Sequence, residues 1–273
     1  IAFVKLSSVP FNHFVKMLML VPKLVALKSY ETVWRMVCRY ISNDKLRQAF
    51  SIQPLLVGGN PFSTTSIYGL IHYLERAYGV FFAMGGTGAI VKALSDLMKR
   101  NNIEVLLNTT VTKVVVNNGL AKKVIFADGS SKNIDLIVSN ADPTYLYENM
   151  IDQNEVAITT KIKLKVAHYS MGLFVVYFGS TKKYNEVAHH TIWLGKTYKK
   201  LLSNIFDAKI LSNDFSLYLH RPTATDSSFA PEGCDSFYVL CPVPNLQGNV
   251  NWETEGEKLK NRIIEALDET ILP

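Results

Sequence analysis

The chain has 273 residues, of which 48% are hydrophobic and 19% charged, with only 3 Cys. That composition excludes a disordered chain, a collagen and a disulfide scaffold, and it leaves ample Phe, Tyr, Leu, Val and Ile for a core. Lys and Arg number 29 against 23 Asp and Glu, a formal charge of +6; no aromatic RNA-binding motif or zinc-finger spacing accompanies the excess, so nucleic acid is not expected as a partner.

The most apolar stretch runs from Phe14 to Leu27 and is interrupted by Lys16, Pro22 and Lys23. No run reaches the roughly 18 apolar residues of a spanning helix. On a helix Lys16 and Lys23 share a face, and Phe14, Val15, Met17, Leu18, Leu20 and Val21 cover most of the rest. A helix lying in a membrane interface has this pattern; so does a core helix with two snorkelling lysines. Pro22 suits a first turn, and from there Leu24, Leu27, Trp34, Val37 and Ile41 repeat at helical spacing. Ser42-Asn43-Asp44 breaks that pattern and caps a helix over 45–50. Val57 to Pro61 reads as a turn, and Thr64 or Thr65 starts a helix to about Ala77.

Gly85-Gly86-Thr87-Gly88 opens a helix from Ala89 to Asn101, with Ile90, Leu94 and Leu97 on its expected buried face. Ile103 to Leu107 reads as a short strand and Val111 to Val116 as another. Asn117-Asn118-Gly119 has the chemistry of a type I′ turn, which needs positive φ, and Lys122 to Phe126 returns as partner. Asp128-Gly129 makes a second turn. Ile134 to Ser139 is a continuous apolar run, as in a buried parallel strand. Beyond Tyr145, strands are expected at 170–178, 215–220 and 236–241, and helices at 201–206 and 256–271. The pattern is that of a mixed α/β protein.

Few residues announce chemistry by themselves. Gly85 to Gly88 is neither the G-x-G-x-x-G dinucleotide fingerprint nor a Walker loop, and reads as a tight turn before a helix. His189 and His190 point apart on a strand with no third ligand nearby in sequence, so no metal is expected. His72 reads as a hydrogen-bonded core histidine. His220-Arg221-Pro222 ends a strand, where a cavity mouth and an ordinary strand terminus are equally open readings. Thr225-Asp226-Ser227-Ser228 reads as a capped turn. No G-x-S-x-G elbow is present, which disfavours a serine nucleophile. Phe174, Tyr177, Phe178, Tyr218 and Tyr238 alternate on strands, as tunnel lining or as core. Cys38, Cys234 and Cys241, without a CxxC, read as free thiols in a reducing compartment.

Longer motifs carry a resemblance. These are Leu46-Arg-Gln-Ala-Phe-Ser51, Leu55-Leu-Val-Gly-Gly-Asn-Pro-Phe62, Ser66-Ile-Tyr68, Gly85-Gly-Thr-Gly88, Ser139-Asn-Ala-Asp142, the FVVYFG run at 174–179, Ala188-His-His-Thr191, Asp214-Phe-Ser-Leu-Tyr-Leu-His220, Thr225-Asp-Ser-Ser228, Ala230-Pro-Glu-Gly-Cys234 and VLCPVP at 239–244. In one register over nearly the whole chain, they resemble the bacterial phytoene desaturases of carotenoid biosynthesis, in the flavin-dependent amine-oxidase-like superfamily. The resemblance implies FAD as cofactor and a discontinuous Rossmann-type flavin domain. It also implies an antiparallel-sheet substrate domain and a helical, membrane-contacting region. Residues 1–80 would be that helical region, 81–150 part of the FAD-binding domain and 151–273 the substrate domain. The family's dinucleotide fingerprint and its C-terminal flavin segment have no counterpart here, and the first residue is Ile. A central fragment of a longer enzyme is therefore expected.

Leu107-Asn-Thr-Thr-Val111 resembles the strand whose valine backbone meets the adenine end of FAD, which assigns that contact to Val111. Ser139-Asn140-Ala141 matches a strand end running toward the dinucleotide, which adds Asn140 and Ala141. No catalytic residue is assigned. Near Phe14 the better-known members carry an acidic residue and an arginine where this chain has Lys16 and Met19, a change that makes the first helix more membrane-like. The implied activity is stepwise desaturation of phytoene toward neurosporene or lycopene, with one hydrogen leaving as hydride to the flavin. The implied place is the cytoplasmic side of the cell membrane, held peripherally by anionic lipid, with a homo-oligomer left open. The alternatives are a related desaturase, isomerase or ketolase on another polyene, such as a C30 diapophytoene, or a non-catalytic membrane- or lipid-binding module.

Overall fold

The computed structural model describes residues 14–273, without the side chains of Phe14 and Lys16, so the Lys16 half of the expected lysine face lies outside the described residues. In chain order the helices are α1 (Phe14–Ala26), α2 (Val33–Tyr40), α3 (Asp44–Ser51), α4 (Leu70–Tyr78) and α5 (Gly86–Arg100). Strands β1 (Val111–Asn117), β2 (Leu120–Phe126) and β3 (Ser131–Asn133) follow. Then come α6 (Ile158–Lys165), β4 (Gly172–Ser180), β5 (His190–Trp193), α7 (Tyr198–Ser203), β6 (Leu217–His220), β7 (Asp235–Val243) and α8 (Trp252–Asp268). The fold is mixed α/β with two antiparallel sheets, ordered β1-β2-β3 and β4-β7-β6-β5. The described residues divide into two compact units, residues 14–90 with 170–273, and residues 91–169.

In the larger unit, local chemistry sets the helix ends. Pro22 lies inside α1 and not in a first turn. The helix ends one turn later, where Lys28 takes a left-handed φ of 52°. Lys28 N then donates to Val25 O and Ser29 N to Leu24 O, the paired bonds of a Schellman stop. The single helix expected from Pro22 to Ile41 is therefore two. Thr32 starts α2 by accepting from Arg35 N, and Asn43 starts α3 by accepting from Leu46 N. The second helical stretch begins at Thr65, with a 3-10 turn over Ser66–Gly69 before α4.

The main core forms between α8 and one face of the four-stranded sheet. Along β7 burial alternates, with Phe237, Val239, Cys241 and Val243 inward. Leu217 and Leu219 of β6 join them against Leu259, Ile263 and Leu267 of α8. Each such side chain contributes roughly 1.5–3 kcal/mol when fully buried. Phe174 and Phe178 of β4 pack on this same face. A second cluster joins α7 to the helices before it: Tyr198, Leu201, Leu202 and Ile205 pack with Trp34, Leu55 and Phe62. Ser51 Oγ meets the Tyr198 hydroxyl at 3.2 Å within it.

The smaller unit contains the expected hairpin. Asn118 and Gly119 have φ of 52° and 73°, both positive as a type I′ turn requires. Two expected strands do not form. Residues 103–107 and 134–139 are irregular, and Leu136 and Val138 are 81% and 89% exposed. The helix face with Ile90, Leu94 and Leu97, expected to be buried, is also exposed. The reason is common to all three. A strand needs a neighbour to complete its hydrogen-bond ladder, and an apolar helix face needs a surface to cover it. Among the described residues no strand pairs with either run.

Candidate functional site

The face of the four-stranded sheet turned away from α8 is chemically distinct. Register places Tyr177 of β4 opposite Tyr238 of β7, Tyr238 opposite His220 of β6, and His220 opposite His190 of β5. The row beside it is Val175, Leu240, Tyr218 and Ile192. Because side chains alternate along a strand, both rows lie on one face. Leu173 and Pro242 extend the face along β4 and β7. No strand residue on it is a carboxylate. The aromatics expected to alternate are thus divided: Tyr177, Tyr218 and Tyr238 face outward here, and Phe174 and Phe178 belong to the core.

At the β5–β6 end the row becomes a cluster. The His220 ring stacks on Tyr238 at 4.4 Å between centroids, and His189 lies 4.6 Å from His220. Phe82 covers the group, 4.7 Å from His189. Hydroxyls meet the imidazole Nδ1 atoms: Thr225 Oγ1 lies 2.5 Å from that of His189, and the Tyr218 hydroxyl 2.6 Å from that of His190 and 3.2 Å from that of His220. Burial, with the neighbouring His189 and His190, lowers the His220 pKa to about 4. Burial and His190 lower that of His189 as well. Burial and the neighbouring Tyr238 push the Tyr218 phenol up. Both imidazole shifts favour the neutral ring, and at neutral pH His220 is uncharged.

An ion pair beneath it holds the segment before β5. The Arg221 Nε donates to Asp235 Oδ2 at 3.0 Å, with the two side chains 6% and 0% exposed. The Arg221 Nη1 donates to Val187 O, and its backbone N–H to His189 O. Burial pushes Asp235 up, but bonds from Thr223 Oγ1, Tyr184 N and Arg221 outweigh it and hold the carboxyl below its ordinary range.

Two glycine-rich and acidic motifs, remote in sequence, also meet. Asp226 Oδ2 accepts from Gly85 N at 2.7 Å, and Oδ1 accepts from Ser228 N and Oγ. These bonds, that of the Ser228 hydroxyl first, hold the Asp226 carboxyl below its ordinary range. Gly86 has φ of 72°, and a Cβ there would meet the Phe229 ring at 2.7 Å, so the turn before α5 requires glycine.

Among the other residues singled out in sequence, His72 donates from Nε2 to Phe50 O at 2.9 Å and lies apart from this cluster. Val111 opens β1, the edge strand of the small sheet, opposite Phe126. Asn140 and Ala141 are exposed in an irregular segment, where Ala141 N donates to Ser139 Oγ. Sequence order alone did not associate His220 with His189 and His190, Arg221 with Asp235, or Gly85 with Asp226. Its pointers were the separate HH, His220-Arg221-Pro222, Gly85 to Gly88 and TDSS motifs.

The model of the family described as flavin containing amine oxidoreductase matches residues 22–209. The lycopene-forming phytoene desaturase of Pantoea ananas is 43% identical over 99% of this chain and 55% of its own length. The neurosporene-forming phytoene desaturase of Rhodobacter capsulatus is 36% identical over 98% of this chain and 52% of its own length. The chain thus spans about half the length of the curated relatives it matches. Among solved structures, an oxidoreductase from Methanosarcina mazei superposes with a TM-score of 0.65 at 15% identity, covering 97% of this chain and 58% of that one. That likeness concerns the fold. The match of that family's model over residues 22–209 places this chain in the flavin-containing amine oxidoreductase family.

Proposed function

We propose that the protein carrying this chain is an FAD-dependent carotenoid desaturase that dehydrogenates phytoene stepwise toward neurosporene or lycopene. The observation that carries the reading is the open face of the β4-β7-β6-β5 sheet. Its side chains are mainly aliphatic, aromatic or imidazole, and its strands place no carboxylate there. Such a face suits a long hydrocarbon and brings no carboxylate to it. The names of the relatives support the same substrate class.

Val111, Asn140 and Ala141 are the residues proposed to meet FAD. They fit such a role: β1 is an edge strand, which leaves alternate backbone groups without a ladder partner, and the other two are exposed. When bound, FAD supplies the hydride acceptor for the dehydrogenation. The chain's own work is to lay the polyene along the tyrosine and aliphatic rows, fix one C–C bond in position and exclude water. The exposed Val91, Leu94, Leu97, Met98, Leu107, Leu136 and Val138 support a flavin domain completed by further segments of the protein.

The membrane contact is assigned to α1. Val15, Met17, Leu18, Met19, Val21 and Val25 are exposed on it, with Lys23 in its last turn. Among the described residues no helix is long and apolar enough to cross a membrane, so the proposed attachment is peripheral, on the cytoplasmic face. A long polyene gains about 0.8 kcal/mol per CH2 kept out of water, which favours an enzyme that takes it directly from lipid. The full-length protein is expected to sediment with anionic liposomes, and the Val15→Asp/Val25→Asp variant to stay in solution. Indifference to anionic lipid and to salt would remove this part of the reading.

Expression of the complete gene in a phytoene-accumulating host tests the activity. Coloured extract with the absorption bands of neurosporene or lycopene is expected. A colourless extract containing abundant FAD-loaded protein would overturn the phytoene assignment. Conversion only in a diapophytoene-accumulating host would move it to the shorter substrate.

A further inference from the structure

We propose that His189, His190 and His220 form a binding site for a divalent transition metal of the zinc class, with three imidazole nitrogens as ligands and a fourth position open. The inference stands apart from the flavoprotein reading, because it rests only on the geometry at the β5–β6 end of the sheet.

One ligand atom from each histidine lies within 4.8 Å of the others. A tetrahedral ion with Zn–N bonds of about 2.0–2.1 Å holds its ligand atoms about 3.3 Å apart. The closure needed is small, and His190, which is exposed, can supply it by side-chain rotation. Ring centroids 4.4, 4.6 and 5.3 Å apart already leave no other side chain between the imidazoles.

Hydrogen bonding shows which nitrogens are left over. Each Nδ1 is engaged by a hydroxyl: that of His189 by Thr225, those of His190 and His220 by Tyr218. The Tyr218 oxygen has two lone pairs and can accept from both imidazoles. In the tautomer with the proton on Nδ1, both imidazoles donate to that oxygen and His189 donates to Thr225. All three Nε2 atoms are left as lone-pair donors. Ligating histidines are commonly arranged in this way, the second nitrogen bonded to an oxygen that fixes tautomer and ring orientation. His189 Nε2 is buried and has no hydrogen-bond partner, an otherwise costly orphan. A metal ion would satisfy it.

No unpaired positive charge next in sequence opposes a cation. Arg221, the charge next in sequence, is paired with Asp235 and directed to Val187 O. Three neutral nitrogens without thiolate or carboxylate suit zinc, cobalt, nickel or copper better than magnesium or calcium. Three protein ligands with an open fourth position match sites where the ion keeps a water or an exchangeable ligand.

The test is a cobalt(II) titration of chelator-stripped full-length protein, followed by zinc displacement. One equivalent of cobalt should give visible ligand-field bands of low-coordinate geometry, erased by zinc. His190→Ala, at an exposed position, should abolish them while the variant stays folded. Thr225→Val should weaken binding roughly 10- to 100-fold by freeing the His189 tautomer. His168→Ala, at an exposed histidine of the smaller unit, should change nothing. Absence of the bands in wild-type protein, or their persistence in both His190→Ala and His220→Ala, would overturn the proposal and leave a neutral hydrogen-bonded cluster.

Discussion

Asp235→Asn removes one charge from a pair that solvent barely reaches. The carboxylate accepts from Arg221 Nε at 3.0 Å, Tyr184 N at 2.7 Å and Thr223 Oγ1 at 2.6 Å. Asparagine keeps one acceptor oxygen but sets an N–H2 group against donors on the other side. It also leaves the Arg221 guanidinium buried without a counter-charge. Breaking such a pair by removing one partner costs about 3–5 kcal/mol. For a unit of roughly 150–250 residues, each kcal/mol moves Tm by about 2–4 °C, so a fall of roughly 6–20 °C is expected. Thermal and urea unfolding of the full-length variant measure it.

Two further readouts bind the magnitude to the mechanism. The Asp235 carboxyl is held below its unfolded value, so its stabilisation is present above about pH 4 and is lost as pH falls through the lower folded pKa. The gap between wild type and Asp235→Asn should therefore narrow in acid. The double variant Arg221→Met/Asp235→Leu should recover much of the loss, because an apolar pair leaves no buried charge. A loss within about 0.5 kcal/mol, the range of ordinary surface substitutions, would refute the reasoning. So would a double variant no more stable than the single one. Because Arg221 also donates to Val187 O and His189 O, amide exchange in the segment before β5 should quicken in Asp235→Asn.

Leu219→Ala opens a cavity at a side chain with 0% exposure and should cost about 2–5 kcal/mol in urea unfolding; a loss below 1 kcal/mol would show that the sheet collapses to fill it. Cys241 is buried, and burial pushes its thiol up to about 12. In native protein at mildly alkaline pH it should resist alkylation while Cys234 reacts, as peptide mass mapping would show; equal labelling would contradict this. Gly119→Ala meets no atom within 4 Å but keeps φ of 73°, so it should cost about 1–2 kcal/mol through backbone strain alone. A cost as small as that of an ordinary surface change would mean that the hairpin re-forms with another turn.

Some of this molecule is written in short stretches of its sequence. The β1–β2 hairpin follows from Asn117-Asn118-Gly119, because two residues with positive φ suffice to turn the chain. Asn43 marks a helix start because a side-chain oxygen needs only a backbone N–H three residues on, whereas the start at Thr32 lay hidden inside a continuous helical pattern. The alternation along β7 announces a strand with one covered face. The motifs shared with phytoene desaturases announce the family, although no local pattern among them names a reaction.

Other features depend on which segments the fold brings side by side. Period-2 and apolar patterns at 103–107 and 134–139 suggest strands, yet a strand forms only when another backbone completes its ladder, and among the described residues none does. Pro22 has the right chemistry for a helix start, but α1 already runs through it. Gly85 and Asp226 are 141 residues apart and meet at 2.7 Å. The imidazole of His220 joins those of His189 and His190 because antiparallel pairing sets His190 opposite His220. The sequence by itself determined the Asn43 cap, the Asn117-Asn118-Gly119 turn, the strand at β7 and the family. Tertiary structure alone decided the histidine cluster, the buried Arg221–Asp235 pair and the exposed face of α5, because each depends on register between segments, and local composition does not specify register.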